Sequence, residues 1–182
     1  MNRASRVIAL AAGLFSRPLY AQQGDYIPTY ELPHGREIVA VYFGASTCGP
    51  CLLPDVKAAI RAMKPLLAAQ AKQLNVSFAA YGVSNDWEVA VGAAFLEPFG
   101  PFDQVVLGGN WTNLAIERFI FSDSTATPAI PQVLVFERTI TVSDQTITFT
   151  DQRLIRRLAG ATAIVSWVKA GAPISLAETK RP

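Results

Sequence analysis

An apolar, β-prone run from Glu37 to Gly44 leads almost directly into Cys48-Gly49-Pro50-Cys51, and a long helical pattern follows. Few arrangements constrain a chain more. A strand that feeds a helix through a short turn predicts a β-α unit, and here the turn carries both of the chain's cysteines. Two thiols spaced C-x-x-C at such a junction read as a redox pair. At a helix N-terminus the unpaired backbone N–H groups and the helix dipole favour thiolate over thiol.

The remaining composition bounds the class. A length of 182 residues is one domain's worth and buries a real core. With 51% hydrophobic and 16% charged residues, a disordered chain is excluded. A formal charge of +2 offers no basic patch for nucleic acid. No window approaches the roughly 20 apolar residues of a membrane span.

Residues 1–21 read as an export signal. Arg3 and Arg6 form a basic start, Val7 to Phe15 an apolar stretch, and Leu19-Tyr20-Ala21 a cleavage site; if uncleaved, the same segment would serve as a short membrane anchor. Removing it takes away Arg3, Arg6 and Arg17 and no acid, leaving 13 basic and 14 acidic residues and a formal charge of −1. Export, most simply to a periplasm, suits a chain with no third thiol to mispair in an oxidising compartment. Residues 22–36 form a polar lead-in, 37–170 the domain, and 171–182 a polar tail. His34, the only histidine, stands between Pro33 and Gly35 and reads as a solvated turn residue.

Along the chain, apolar residues recur at helical spacing from Leu52 to Leu67, with Pro65 expected to kink or split the helix before its end near Gln73. A strand follows at Val76 to Val83. Ser84-Asn85-Asp86 reads as the N-cap region of a helix from Trp87 to about Glu97. Gln104 to Leu107 is a short strand, Gly108-Gly109-Asn110 a turn, and Trp111 to Phe121 a helix. After a polar loop, Ile130-Pro131 enters the strand Val133 to Phe136. Thr139–Val142 and Thr146–Phe149 alternate as a hairpin around Ser143-Asp144-Gln145. Gln152 to Leu158 extends the sheet, Gly160 ends it, and Thr162 caps a helix to Ala170. The alternative, one helix from Asp151 to Ala170, places Gly160 mid-helix at a cost of about 1 kcal/mol.

This order, with Cys48-Gly49-Pro50-Cys51 after the first core strand and Ile130-Pro131 before a late one, resembles the thioredoxin superfamily over residues 36–170. The resemblance implies an α/β fold with a mixed central sheet flanked by helices. The β-α insertion at 104–121 and the export signal are more similar to the exported TlpA/ResA-type reductases, which reduce disulfides outside the cytoplasm, often in cytochrome c maturation. The implied roles are Cys48 as exposed nucleophile and Cys51 as buried resolving thiol, with Gly49 and Pro50 helping to set the potential. Pro131 matches the family's cis-proline beside the sulfurs, Ile130 offers backbone groups to an extended substrate, and Thr47 stands next to the nucleophile in the substrate region. The implied partners are a disulfide-bearing protein and a membrane or soluble thiol donor, with no cofactor beyond the Cys48–Cys51 disulfide and no metal.

The chain departs from that pattern in three places, one of them Leu52-Leu53-Pro54-Asp55, which is out of register with the acid and proline common just inside the helix of TlpA-type proteins. Thr47 stands where the family usually has tryptophan, and Tyr42 where thioredoxins bury an aspartate, leaving Glu37, Asp55 or water to replace the acid. Competing readings are a disulfide oxidant or isomerase, a copper(I) carrier using the two thiolates, and an inert disulfide. The last would stabilise little, because a three-residue separation closes almost no loop.

Overall fold

The structure of the protein, a computed structural model, describes residues 24–29, 31–122 and 128–176. Residues 1–21, read from sequence as an export signal, the polar loop at 123–127 and the end of the tail lie outside the described residues. Among those described, no helix is long and apolar enough to cross a membrane.

Among the described residues, five strands, β1 (Gly35–Gly44), β2 (Ser77–Ser84), β3 (Gln104–Val106), β4 (Gln132–Val142) and β5 (Ile147–Ala159), form one mixed sheet. Its spatial order is β3-β2-β1-β4-β5. β1, β2 and β3 run parallel; β4 is antiparallel to β1, and β5 to β4. The helices α1 (Pro54–Gln73), α2 (Val89–Leu96), α3 (Leu114–Ile116) and α4 (Ala161–Lys169) flank it. The protein is therefore α/β, and the arrangement is compatible with the fold expected from the motif order.

The period of two along β1 sends alternate side chains to opposite faces, and both faces are covered. Ile38, Ala40 and Tyr42 pack with Val56, Ile60, Met63 and Leu67 of α1, Phe95 and Leu96 of α2, and Trp167 of α4. Val39, Val41 and Phe43 face Ala115 and Ile116 of α3, together with Ile120. A strand buried on both sides reads as the continuous apolar run seen in the sequence.

The structure corrects several sequence expectations. Pro65 does not split α1, which runs unbroken through it. Burial of Met63 and Leu67 on either side offsets the one backbone hydrogen bond that proline removes. The segment 104–121 does carry the expected extra strand, β3, which pairs with β2 at the sheet edge. Its helix is broken: a short turn at Asn110–Thr112 precedes α3, and a wider π-type turn, Glu117–Phe121, follows. The break falls at Asn113, whose side-chain oxygen accepts from the Ala115 N–H at 2.9 Å and restarts the helix. α4 is capped at Gly160 and not at Thr162. The Gly160 N–H still donates to the Pro131 carbonyl at 2.8 Å, and its φ of 86° is one that glycine adopts without strain.

Candidate active site

The cysteines sit where the parallel strands end. Beyond Gly44 the chain turns, with the Cys48 N–H donating to the Ala45 carbonyl at 3.2 Å, and one 3-10 turn, Gly49–Leu52, follows. Cys48 and Cys51 are disulfide-bonded, with their Cα atoms 5.2 Å apart. Cys48 is half-buried and Cys51 fully buried, so a partner approaching from solvent meets Cys48 first. Thr47, Gly49 and Pro50 are exposed around it.

The long helix does not start at the motif. α1 begins only at Pro54. A residue before proline is pushed out of the α region, and Leu53 is accordingly extended, with φ −60° and ψ 134°. Cys48 therefore caps a single 3-10 turn, and its Sγ accepts the Cys51 N–H at 3.2 Å. Local N–H donation, more than a full helix dipole, is the support this turn offers to a sulfur anion.

Pro131 is brought to the same place by register. Phe43 pairs with Gln132 across the β1–β4 ladder, which sets Pro131 beside Gly44. The Ile130–Pro131 peptide is cis, Pro131 is buried and Ile130 half-buried. Gln132 is fully buried and tied on both sides: its amide donates to the Ala129 carbonyl at 3.1 Å and accepts from Arg157 at 2.7 Å.

None of the acids expected from sequence lies buried beneath the cysteines. Glu37 stands near the start of β1, at the far end of the strand, ion-paired to Arg138; burial raises its pKa, and Arg138 opposes that shift. Asp55 is exposed in the first turn of α1. Tyr42 is wholly buried against Phe95 and Phe99, and its hydroxyl has no hydrogen-bond partner among the described residues. Burial drives its pKa well above the ordinary tyrosine value. His34 is exposed before β1, at the opposite end from Cys48.

The acid that does reach the motif is Asp86, read from sequence as part of a helix cap. α2 starts later, at Val89, with no side-chain cap. Asp86 is instead 5% exposed and accepts from the Ser46 hydroxyl at 2.7 Å, the Ser46 N–H at 3.2 Å and the Ser84 hydroxyl at 2.6 Å. Gly92 lets α2 pass close by, since a Cβ there would lie 2.6 Å from Ser84 Oγ. The only sequence signal was the cluster Ser84-Asn85-Asp86 at the end of a parallel strand.

The next turn adds an apolar rim. Backbone N–H groups of Gly109 and Asn110 donate to the carbonyls of Trp87 and Asp86. The turn takes positive φ at Gly108, Gly109 and Asn110, residue types that tolerate it. Trp87, Val89, Trp111, Leu114 and Phe121 are left exposed, Trp87 by 69%. Surface tryptophan to that extent is uncommon. The surface grooves lined around Phe78, Arg138, Val165 and Phe102 include neither cysteine. Among the described residues, no three histidine, cysteine or acidic side chains gather as a metal-binding group.

Fold and site together define an α/β protein that carries a close C-x-x-C pair at the end of its central strand, an arrangement compatible with redox activity. No known family model and no curated protein matches the sequence.

Proposed function

We propose that this chain is a thiol–disulfide oxidoreductase of the thioredoxin-like class, reducing disulfides in polypeptide partners. The observation that carries the reading is the asymmetry of one bonded pair: Cys48 accessible, Cys51 buried, at the end of a central strand beside Pro131. An inert staple has no need of that asymmetry. Dithiol exchange does.

In the reduced protein, the Cys48 thiolate attacks one sulfur of a substrate disulfide. A Cys48–substrate bond forms and the other substrate sulfur leaves, taking a proton to become a thiol. Cys51, losing its proton, then attacks Cys48 Sγ. The mixed disulfide breaks, the second substrate thiol is released, and the Cys48–Cys51 disulfide remains. Two electrons have passed from protein to substrate. A thiol donor returns them by the same exchange in reverse. Ile130, Pro131 and Thr47 form the contact region for the substrate chain, and Cys48, half-buried among the exposed Thr47, Gly49 and Pro50, is reached from solvent, which suits a macromolecular disulfide. The Gly49-Pro50 dipeptide between the cysteines resembles that of reducing thioredoxin-like proteins and favours the reducing direction by that likeness, and the export read from residues 1–21 would put the reaction outside the cytoplasm.

Catalytic reduction of insulin disulfides by the dithiol form, with a reduction potential nearer about −270 mV than about −120 mV, is the expected result. The potential separates reductase from oxidant. Stoichiometric tight copper in the reduced protein, with no turnover, would favour the metal carrier and overturn the reading.

A further inference from the structure

Asp86 lies three residues before α2 and reaches the cysteine turn through Ser46. Its carboxylate is buried, and two of its hydrogen bonds come from the residue two positions before Cys48. The Asp86 backbone carbonyl also holds the 108–113 turn through Asn110. No ion pair among the described residues involves it. The charged side chains on the adjoining segments are the exposed acids Glu88, in the turn after it, and Asp55, in the first turn of α1, with the half-buried cations Lys57 of α1 and Arg157, which is tied to Gln132.

We propose that Asp86 is a positioning residue for the redox turn, whose buried negative charge also disfavours the thiolate of Cys48 and so biases the couple toward its disulfide, making the protein a stronger electron donor. This rests on the oxidoreductase reading above. Two residues of chain reach at most about 7 Å, so the carboxylate acts on Cys48 over a distance on the order of 10 Å. At the effective dielectric of a partly buried site, one charge at that range changes a thiolate-to-thiol ratio roughly tenfold. The N–H of Cys51 on Cys48 Sγ favours the anion, and Asp86 opposes it.

The test uses the full chain with Cys51→Ala, in which Cys48 is the sole thiol, and follows thiolate absorbance against pH. Asp86→Asn is expected to lower the Cys48 midpoint by about one unit, while Ser46→Ala, which keeps the charge and removes one hydrogen bond, leaves it within a few tenths. In the two-cysteine protein, at a pH where Cys48 is ionised with either residue, Asp86→Asn raises the potential by about 30 mV, the equivalent of a tenfold change. As a check that needs no variant at Asp86, its carboxyl carbon resonance is expected to shift through the Cys48 titration. An unchanged midpoint in Asp86→Asn, a resonance blind to Cys48, or the same shift in Ser46→Ala would overturn the proposal. The titration does not depend on turnover, so a protein that fails to reduce insulin refutes the oxidoreductase reading and leaves this result to stand or fall alone.

Discussion

Gln132 pairs with Phe43, and that one register sets Pro131 beside Gly44, at the end of the strand that leads to Cys48. The site is thus assembled from three chain segments far apart in sequence: the β1 end with its cysteines, the β4 start with Pro131, and the β2 end with Asp86. Each is held by backbone pairing within the sheet or by a buried polar bond, so the cysteine turn is fixed from both flanks.

Trp87 follows Asp86 directly, Trp111 follows the Gly109-Asn110 turn held by the Asp86 and Trp87 carbonyls, and both are exposed. If the apolar rim seats the polypeptide around its disulfide, Trp87→Ala and Trp111→Ala lower kcat/KM for insulin by about tenfold, the scale expected when an interface is deprived of an aromatic anchor. Reduction of hydroxyethyl disulfide, too small to reach the rim, stays unchanged. Equal reductions on both substrates would place the effect in the chemistry and remove the rim from substrate binding.

Tyr42 buries an unpaired hydroxyl. Replacing it with phenylalanine keeps the ring packing on Phe95 and Phe99 and removes the desolvation cost, so Tyr42→Phe is expected to stabilise the protein by about 1 kcal/mol in denaturant unfolding. A loss of stability of that size would mean the hydroxyl is satisfied.

Lys64 is 1% exposed, with Nζ donating to the carbonyls of Phe99 and Pro101 at 2.6 Å each and lying over the Phe102 ring. Burial, helped by the charge of Arg61 and opposed by Asp103 and Asp25, brings its pKa down to about 7. Between that value and the unfolded value near 10.5 the unfolded chain binds the extra proton, so stability rises with pH across this window. The cost of burying the charged form is fully present below it. Unfolding free energy measured from pH 7 to pH 9.5 should climb with a slope approaching about 1.4 kcal/mol per unit, and Lys64→Met should flatten it. A flat profile in the unsubstituted protein would contradict this assignment.

The legible parts of the sequence were those governed by local pattern. The apolar runs at 37–44 and 76–83, the hairpin around Ser143-Asp144-Gln145 and the helical spacing after Cys51 all report burial through periodicity, and the sheet and α1 follow them. What stayed hidden depends on contacts between distant segments. Asp86 looks like a cap because Ser, Asn and Asp before an apolar run usually are one, and only the parallel pairing of β1 with β2 turns it toward Ser46. Lys64 sits at a helical position that alone cannot distinguish a solvated face from burial under the 99–102 loop. The late start of α1 was readable in principle, since Leu53 precedes Pro54, but a helical apolar pattern beginning at Leu52 obscured it.

The central claim is that Cys48 attacks and Cys51 resolves, and trapping tests it most directly. With Cys51→Ala, a mixed disulfide between Cys48 and a cystine-containing polypeptide such as insulin should accumulate and survive non-reducing electrophoresis. With Cys48→Ala, the buried Cys51 should capture almost none. Equal trapping by both variants, or none by either, would contradict the account.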